Sequence, residues 1–247
     1  MKLFVFGCSN SALYHTETLE YRQYRDYRNG SFPLTWSEML SNQLDCELVN
    51  YAIPGSSNDS IKMELVKHVR EYRKNDIVII GWTFINRFMW IDRIKNNWVH
   101  YQHMHSDKMD ISYDTHSEIL LHREHNPSNY LIIKEIYEWM DMIDYLSMII
   151  GFKVYYWECD GRIFSNYHMN LGSTGIILNS DYLKFDGRHL LDANDNTIFK
   201  YVENNGGKTI RDETKNLVND LHWGESGHIV VADKFYKHIS KEKNKLL

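Results

Sequence analysis

Four short, mostly apolar runs rich in β-branched and aromatic residues recur along the chain. They are Leu3–Phe6, Glu47–Tyr51, Ile77–Ile80 and Lys153–Trp157. Runs of this length and continuity are typical of strands that are covered on both faces, as in a parallel sheet. The pattern therefore predicts four buried, parallel strands.

Segments with apolar residues at helical spacing lie between and after these runs. The predicted helices are Trp36–Leu44, Ser57–Lys74, Tyr130–Ile150 and Gly224–Ile239. Because strands that alternate with helices form βαβ units, this order predicts a doubly wound α/β sheet. A chain of 247 residues can form such a sheet as one domain, so we predict a single domain over residues 1–247.

Two polar segments rich in His, Asn and Asp interrupt the alternation, at about residues 86–128 and 160–220. Long loops within a compact domain are usually lids or binding loops, so we interpret both segments as functional insertions. A shorter segment carries Tyr21, Tyr24 and Tyr27 at every third position, with arginines between them. On a helix these tyrosines would share one face, which predicts that they pack against the domain.

The charge and cysteine content exclude several functional classes. The formal net charge is −5 and the basic residues are dispersed, which argues against a nucleic-acid partner. The three cysteines form no C-x-x-C pair, which indicates neither a zinc site nor a disulfide framework and fits a reducing compartment. The first apolar run ends at Gly7, too early for a secretory signal, and no run approaches the ~18 apolar residues of a membrane span. We therefore expect a cytoplasmic protein without a membrane span.

Small and polar residues follow three of the predicted strands, at the sheet edge where open parallel sheets bind ligands. They read GCS at residues 7–9, IPG at 53–55 and GWT at 81–83, and a DLH run follows at 220–222. A serine hydroxyl is a weak nucleophile until a base takes its proton, and a histidine with a pKa near ~6.5 suits that task. The segments thus offer the parts of a serine hydrolase.

In this order, the four segments resemble the four sequence blocks of the SGNH (GDSL-like) hydrolase family, over residues 3 to about 236. The resemblance implies a three-layer α/β/α sandwich with a flavodoxin-like parallel sheet. It matches Ser9 to the nucleophile, His222 to its general base and Asp220 to the carboxylate that orients the imidazole. It matches Gly55 to the glycine of the oxyanion hole, and Thr83 falls where the family has the oxyanion-hole asparagine.

The chain departs from the family pattern in three of the four blocks. Cys8 replaces the usual aspartate, and Asp220 lies two residues before the histidine, so that Asn219 holds the family's three-residue spacing. The Thr83 hydroxyl can donate one hydrogen bond in place of the missing amide, and Asn86 is a nearby substitute donor. Strand alternation directs the side chains of Cys8 and Ser9 differently, and the block match favours Ser9 as the nucleophile.

The resemblance implies a serine esterase that cleaves a small ester through an acyl-Ser9 intermediate and needs no cofactor. The polar, aromatic insertions favour an acetylated carbohydrate or another small ester. The alternative is a catalytically weakened module of the same fold that binds a glycan or a protein partner, since the asparagine is missing and the aspartate spacing is altered. No phosphate-binding glycine motif follows a strand, and the spacing of His100, His103 and His105 is typical of a solvated loop rather than a metal site.

Overall fold

A four-stranded parallel sheet forms the centre of the molecule. The computed structural model describes residues 1–85, 87–92, 94–102, 117, 129–159 and 198–243. The strands of the sheet are β1 (Lys2–Phe6), β2 (Glu47–Asn50), β3 (Ile77–Trp82) and β6 (Lys153–Glu158). They lie in the order β2-β1-β3-β6 and every neighbouring pair is parallel, which confirms the four predicted strands.

The remaining described elements are seven helices and one antiparallel strand pair. The helices are α1 (Leu19–Tyr27), α2 (Trp36–Leu44), α3 (Asn58–Lys67), α4 (Asn129–Ile150), α5 (Ile198–Asn204), α6 (Ile210–Glu213) and α7 (Glu225–Lys243). The strand pair is β4 (Arg87–Asp92) with β5 (Asn97–Gln102). The two predicted insertions therefore contain regular structure: β4 and β5 lie in the first, and α5 and α6 lie in the second.

Alternate residues of each strand point to opposite faces of the sheet, and each face carries its own apolar core. On one face, Val5, Ile79 and Trp157 pack with residues of α2, α5 and α7. On the other face, Phe6 and Ile80 pack with residues of α3 and α4. The arrangement is the predicted three-layer α/β/α sandwich.

The third helix ends earlier than its apolar spacing predicts. α3 stops at Lys67, and a single 3₁₀ turn, Val69–Glu71, follows, so the predicted helix Ser57–Lys74 is wrong in its second half. The cause is Asp76, whose carboxylate accepts the backbone N–H of Arg73 at 2.9 Å and of Lys2 at 2.8 Å. These bonds turn the chain into β3 and join it to β1, which competes with continued helix.

Among the described helices, none is both long enough and apolar enough to cross a membrane.

Gly81, near the carboxyl end of β3, has no room for a side chain. A Cβ atom there would lie 2.6 Å from Cε2 of the buried Trp157 indole. We expect Gly81→Ala to lower the free energy of unfolding by about 1–3 kcal/mol, because the core is already filled. Denaturant unfolding of Gly81→Ala, Trp157→Phe and the double variant checks this. The smaller ring should relieve the collision, so fully additive losses would contradict it.

Candidate active site

Ser9 lies in a tight turn directly after β1. The Cys8 carbonyl accepts the N–H of Ser11 at 2.9 Å and of Ala12 at 3.1 Å, which closes one helical turn around Ser9. A Cβ at Gly7 would lie 2.5 Å from Ser11 Oγ and 3.2 Å from the Gly81 carbonyl oxygen, so only glycine fits before this turn. Within the described part of the chain, no acceptor takes the Ser9 backbone N–H, which leaves that donor available to a ligand.

Gly55 lies in a second tight turn, between β2 and α3. Pro54 and Gly55 occupy its two central positions, and the Ser56 N–H donates to the Ile53 carbonyl at 3.1 Å. Gly55 has φ +78°, a left-handed conformation that would disfavour any larger residue by about 1–2 kcal/mol. The Ile53 N–H donates to the Gly7 carbonyl at 3.1 Å, which ties this turn to the serine turn.

His222 and Asp220 lie in the segment between α6 and α7. The Asp220 carbonyl accepts the Arg211 N–H at 2.8 Å, and the His222 carbonyl accepts the Ile210 N–H at 2.8 Å. These two bonds fix the backbone on both sides of the intervening Leu221. The segment is therefore held by backbone hydrogen bonds to the start of α6 and is not a free loop.

The three predicted catalytic residues form one hydrogen-bonded chain. His222 Nε2 lies 2.7 Å from Ser9 Oγ, and His222 Nδ1 lies 2.6 Å from Asp220 Oδ1. The same carboxylate oxygen accepts the His222 backbone N–H at 2.8 Å. Burial opposes ionisation of Asp220, but its bonds with His222 outweigh burial and lower the pKa of the carboxyl. An ionised Asp220 holds the Nδ1 proton, so Nε2 faces the Ser9 hydroxyl as an acceptor.

Asn219, which has the family's spacing before the histidine, is exposed to solvent, whereas Asp220 is buried against the imidazole. The Asp220 carboxylate reaches Nδ1 from two residues away, and the same oxygen accepts the His222 backbone N–H. The structure brings Asp220, and not Asn219, to the imidazole.

Helix α1 supports the histidine segment from the side. Tyr21 and Tyr24 are buried as predicted, Tyr27 is about half exposed, and the Tyr21 ring meets the His222 imidazole edge-on with centroids 5.9 Å apart. The Tyr24 hydroxyl donates to Glu213 Oε2 at 2.7 Å. Sequence reasoning missed this supporting role, although the three-residue tyrosine spacing signalled the buried face.

The Glu213 carboxylate fixes the start of α7, directly after the histidine segment. It accepts the backbone N–H of Glu225 at 3.0 Å and of Ser226 at 2.7 Å. A carboxylate in this position satisfies free donors of the first helical turn and complements the helix dipole. Sequence reasoning missed this residue too, because it is twelve positions away from the helix that it caps.

Thr83 lies at the carboxyl end of β3, and its hydroxyl is already engaged. The residue is fully buried, and its Oγ1 accepts a hydrogen bond from Arg87 Nη1 at 3.1 Å. Its backbone is held on both sides by the Asn58 side chain, which accepts the Thr83 N–H at 2.8 Å and donates to its carbonyl at 3.1 Å. Asn86, the other predicted donor, lies outside the described residues.

Two buried thiols lie beneath the serine turn. Cys8 Sγ and Cys159 Sγ are 3.6 Å apart, and the Asn10 side-chain amide donates to both sulphurs. The hydrogen bond from Cys159 is the main cause that holds the pKa of Cys8 well below its usual value, against burial, and the Asn10 backbone and the Thr83 side chain also lower it. Cys8 is fully buried and bonded away from Ser9, whose side chain turns to His222.

His228, six residues after His222, has a structural environment. Its Nδ1 accepts the backbone N–H of Trp36 at 3.1 Å, and the Trp36 indole Nε1 donates to the Asn10 carbonyl at 2.8 Å. Trp36 thereby joins α2 to both the serine turn and α7. Burial, with a smaller effect from His222, lowers the pKa of His228 to about 3.

The described residues contain no group of three or more His, Cys, Asp or Glu side chains placed to hold a metal ion. His100 lies in β5, and its neighbours His103 and His105 lie outside the described residues.

Two solved structures align with most of this chain. Protein YXIM from Bacillus subtilis aligns with a TM-score of 0.50 and 14% identity, over 98% of this chain and 56% of its own. The chain has the SGNH hydrolase fold. A member of the lipolytic protein G-D-S-L family from Veillonella parvula aligns with a TM-score of 0.47 and 10% identity, over 97% of this chain and 98% of its own. At the sequence level, neither a family model nor a curated protein matches significantly.

The SGNH fold agrees with the resemblance drawn from the four sequence blocks, at an identity that marks a divergent sequence. The blocks of this chain converge on one edge of the sheet, where the order of the strands reverses between β1 and β3. That edge is the usual ligand site of open α/β sheets.

We expect His228 to make the folded protein less stable in mild acid. His228 is neutral in the folded protein, whereas in the unfolded chain it binds a proton below about pH 6.5. The neutral His228 therefore contributes its full stabilisation above about pH 6.5. This stabilisation is lost progressively as the pH falls, so the free energy of unfolding decreases by about 2 kcal/mol between pH 7 and pH 5. Denaturant unfolding at both pH values measures this loss.

The matched variant is His228→Asn, whose amide oxygen can replace Nδ1 as the acceptor for Trp36. Its free energy of unfolding should change less between pH 7 and pH 5 than that of the wild type. Equal pH dependence in the two proteins would show that His228 is not the responsible group.

Proposed function

We propose that this chain is a serine ester hydrolase that forms an acyl-enzyme on Ser9. The single observation that carries the proposal is the continuous chain Ser9–His222–Asp220, with donor–acceptor distances of 2.7 and 2.6 Å. The fold supports the proposal, because the three residues lie at the carboxyl edge of the sheet, which is the usual ligand site of open α/β sheets. In this proposal Asp220 orients and His222 acts as the base.

The chemistry follows from the geometry. As Ser9 Oγ attacks the ester carbonyl carbon, His222 Nε2 takes the hydroxyl proton and the carbonyl π pair moves onto oxygen. Collapse of this intermediate breaks the bond to the alcohol oxygen, which leaves with the proton from His222. Water then attacks the acyl-Ser9 ester by the same route. The free Ser9 N–H and the Gly55 turn are the backbone elements that we assign to the oxyanion hole.

Three exposed apolar residues are sequence neighbours of the candidate site residues and support a small ester as substrate. They are Leu221 between the two catalytic residues, Ile53 beside the Gly55 turn and Leu13 after the serine turn. Exposed apolar side chains beside the site suit a short acyl group such as acetyl. An acetylated carbohydrate, which the sequence favoured, combines such a group with a polar alcohol and stays the substrate class that we propose.

One observation favours the alternative of a weakened binding module. The Thr83 hydroxyl, in the place of the family's oxyanion-hole asparagine, is buried and bonded to Arg87. Thr83 has no side-chain amide, so the amide donor of the family is absent at this position, and loss of one oxyanion donor costs roughly 3–4 kcal/mol of transition-state stabilisation. Labelling with an active-site reagent separates the two functions.

We expect a fluorophosphonate probe to label the wild-type protein on Ser9, because His222 removes the hydroxyl proton during attack on phosphorus. Ser9→Ala should abolish labelling, and His222→Ala should slow it by several orders of magnitude. The readout is the labelling rate by intact-mass spectrometry, with the labelled peptide identified.

Two matched variants control for the neighbouring groups. Ser11→Ala removes a buried hydroxyl of the same turn that has no hydrogen-bond partner among the described residues, and it should keep the label. Cys8→Ala should also keep it. An unlabelled wild type would overturn the enzyme proposal in favour of the binding module, and a label that follows Cys8 would identify a different nucleophile.

We expect Asp220→Asn to lower kcat for p-nitrophenyl acetate by about 10⁴-fold, because an amide favours the wrong imidazole tautomer. Asn219→Ala, at an exposed position with the family's spacing, should leave kcat within twofold of the wild type. Steady-state kinetics on folded variants decide between them. The reverse ranking would move the orienting role to Asn219.

A further inference from the structure

Arg87 is a cation at the active-site edge of the sheet, and the described residues give it no carboxylate partner. It follows β3 after a tight turn in which its N–H donates to the Phe84 carbonyl at 3.1 Å. Its guanidinium lies 4.8 Å from the centroid of the Phe84 ring and donates from Nη1 to Thr83 Oγ1 at 3.1 Å. Among the described residues, no carboxylate lies within ion-pair distance of it.

A half-buried guanidinium has five N–H donors, and a single bond to Thr83 leaves most of them unused. Partial burial of a charge is unfavourable unless it meets an anion or enough acceptors. The described residues supply no anion. The Arg87 guanidinium therefore indicates a site for a negative charge that the substrate carries or that develops during the reaction.

The position of Arg87 connects it to the serine turn. The Thr83 side chain that accepts its hydrogen bond also lowers the pKa of the Cys8 thiol, after the larger effects of Cys159, burial and the Asn10 backbone. Cys8 directly precedes Ser9. Thr83 Oγ1 accepts the hydrogen bond from Arg87, and Thr83 is fully buried at the carboxyl end of β3, which pairs with β1 directly before the serine turn.

We propose that Arg87 completes the oxyanion hole, with Thr83 as the positioning residue that holds the guanidinium. The proposal rests on the proposed esterase function. Thr83 occupies the place of the family's asparagine. The Arg87 guanidinium supplies the hydrogen bond that the shorter threonine side chain cannot. As Ser9 attacks, the carbonyl π pair moves onto oxygen, and the guanidinium donates to that oxygen without losing a proton. A charged donor forms stronger hydrogen bonds than a neutral amide, which suits a developing negative charge.

The test compares Arg87→Met, Arg87→Lys and Thr83→Val with the wild type on p-nitrophenyl acetate, which is a neutral ester. We expect Arg87→Met to lower kcat by about 10²–10³-fold with KM within threefold, because the donor acts in the transition state. Arg87→Lys should recover part of the rate. Thr83→Val should lower kcat by a smaller factor, and adding it to Arg87→Met should cause no further loss, since both act through one group.

Arg70→Met is the matched control, because Arg70 is exposed and lies in the 3₁₀ turn that leads to the opposite, amino end of β3. It should leave kcat within twofold of the wild type. Circular dichroism and unfolding midpoints of every variant exclude loss of the fold. If Arg87→Met does not fold, the kcat values of Thr83→Val and Arg87→Lys test the proposal instead.

Three results would overturn the proposal. The first is an unchanged kcat in folded Arg87→Met. The second is a loss confined to KM for a carboxylate-bearing ester, p-nitrophenyl succinate, which would make Arg87 a binder of substrate anions. The third is additive losses in the Arg87→Met, Thr83→Val pair. Failure of the esterase function itself is recognised separately, since fluorophosphonate would then not label Ser9 in the wild type.

Discussion

The hydrogen bond between Ser9 and His222 joins two residues that are 213 positions apart, and the rest of the site depends on it. Its distance of 2.7 Å requires that the turn after β1 and the segment before α7 meet at one sheet edge. Several independent contacts enforce this meeting. Gly7 allows the serine turn to form against Gly81, and Glu213 fixes the start of α7.

The parallel core could be predicted from the sequence because its signal is local. Each of the four strands is a short apolar run, and Gly7 and the Pro54-Gly55 pair mark turns that few other residues can form. The resemblance of four short blocks then predicted which residues meet, and the structure brings Ser9, His222 and Asp220 together. The choice between Asp220 and Asn219 depended on the path of the backbone at Leu221, which residue spacing alone does not determine.

Other features could not be predicted from the sequence, because they depend on contacts between distant residues. The apolar spacing continues past Lys67, but the bonds of Asp76 to Lys2 and Arg73 end the helix early. The Thr83 hydroxyl could be predicted as a donor from its type, whereas its engagement by Arg87 arises from the turn that follows β3. Arg87 could not be predicted as a site residue, because it lies at the start of a polar segment whose sequence gives no sign of the turn to Thr83.

Trp36 sets a mechanical property of the site. Its indole donates to the Asn10 carbonyl and its backbone N–H donates to His228, so one residue at the start of α2 is attached to both the serine turn and α7. Because both attachments come from the same residue, they restrain the serine turn and the amino end of α7 against moving apart.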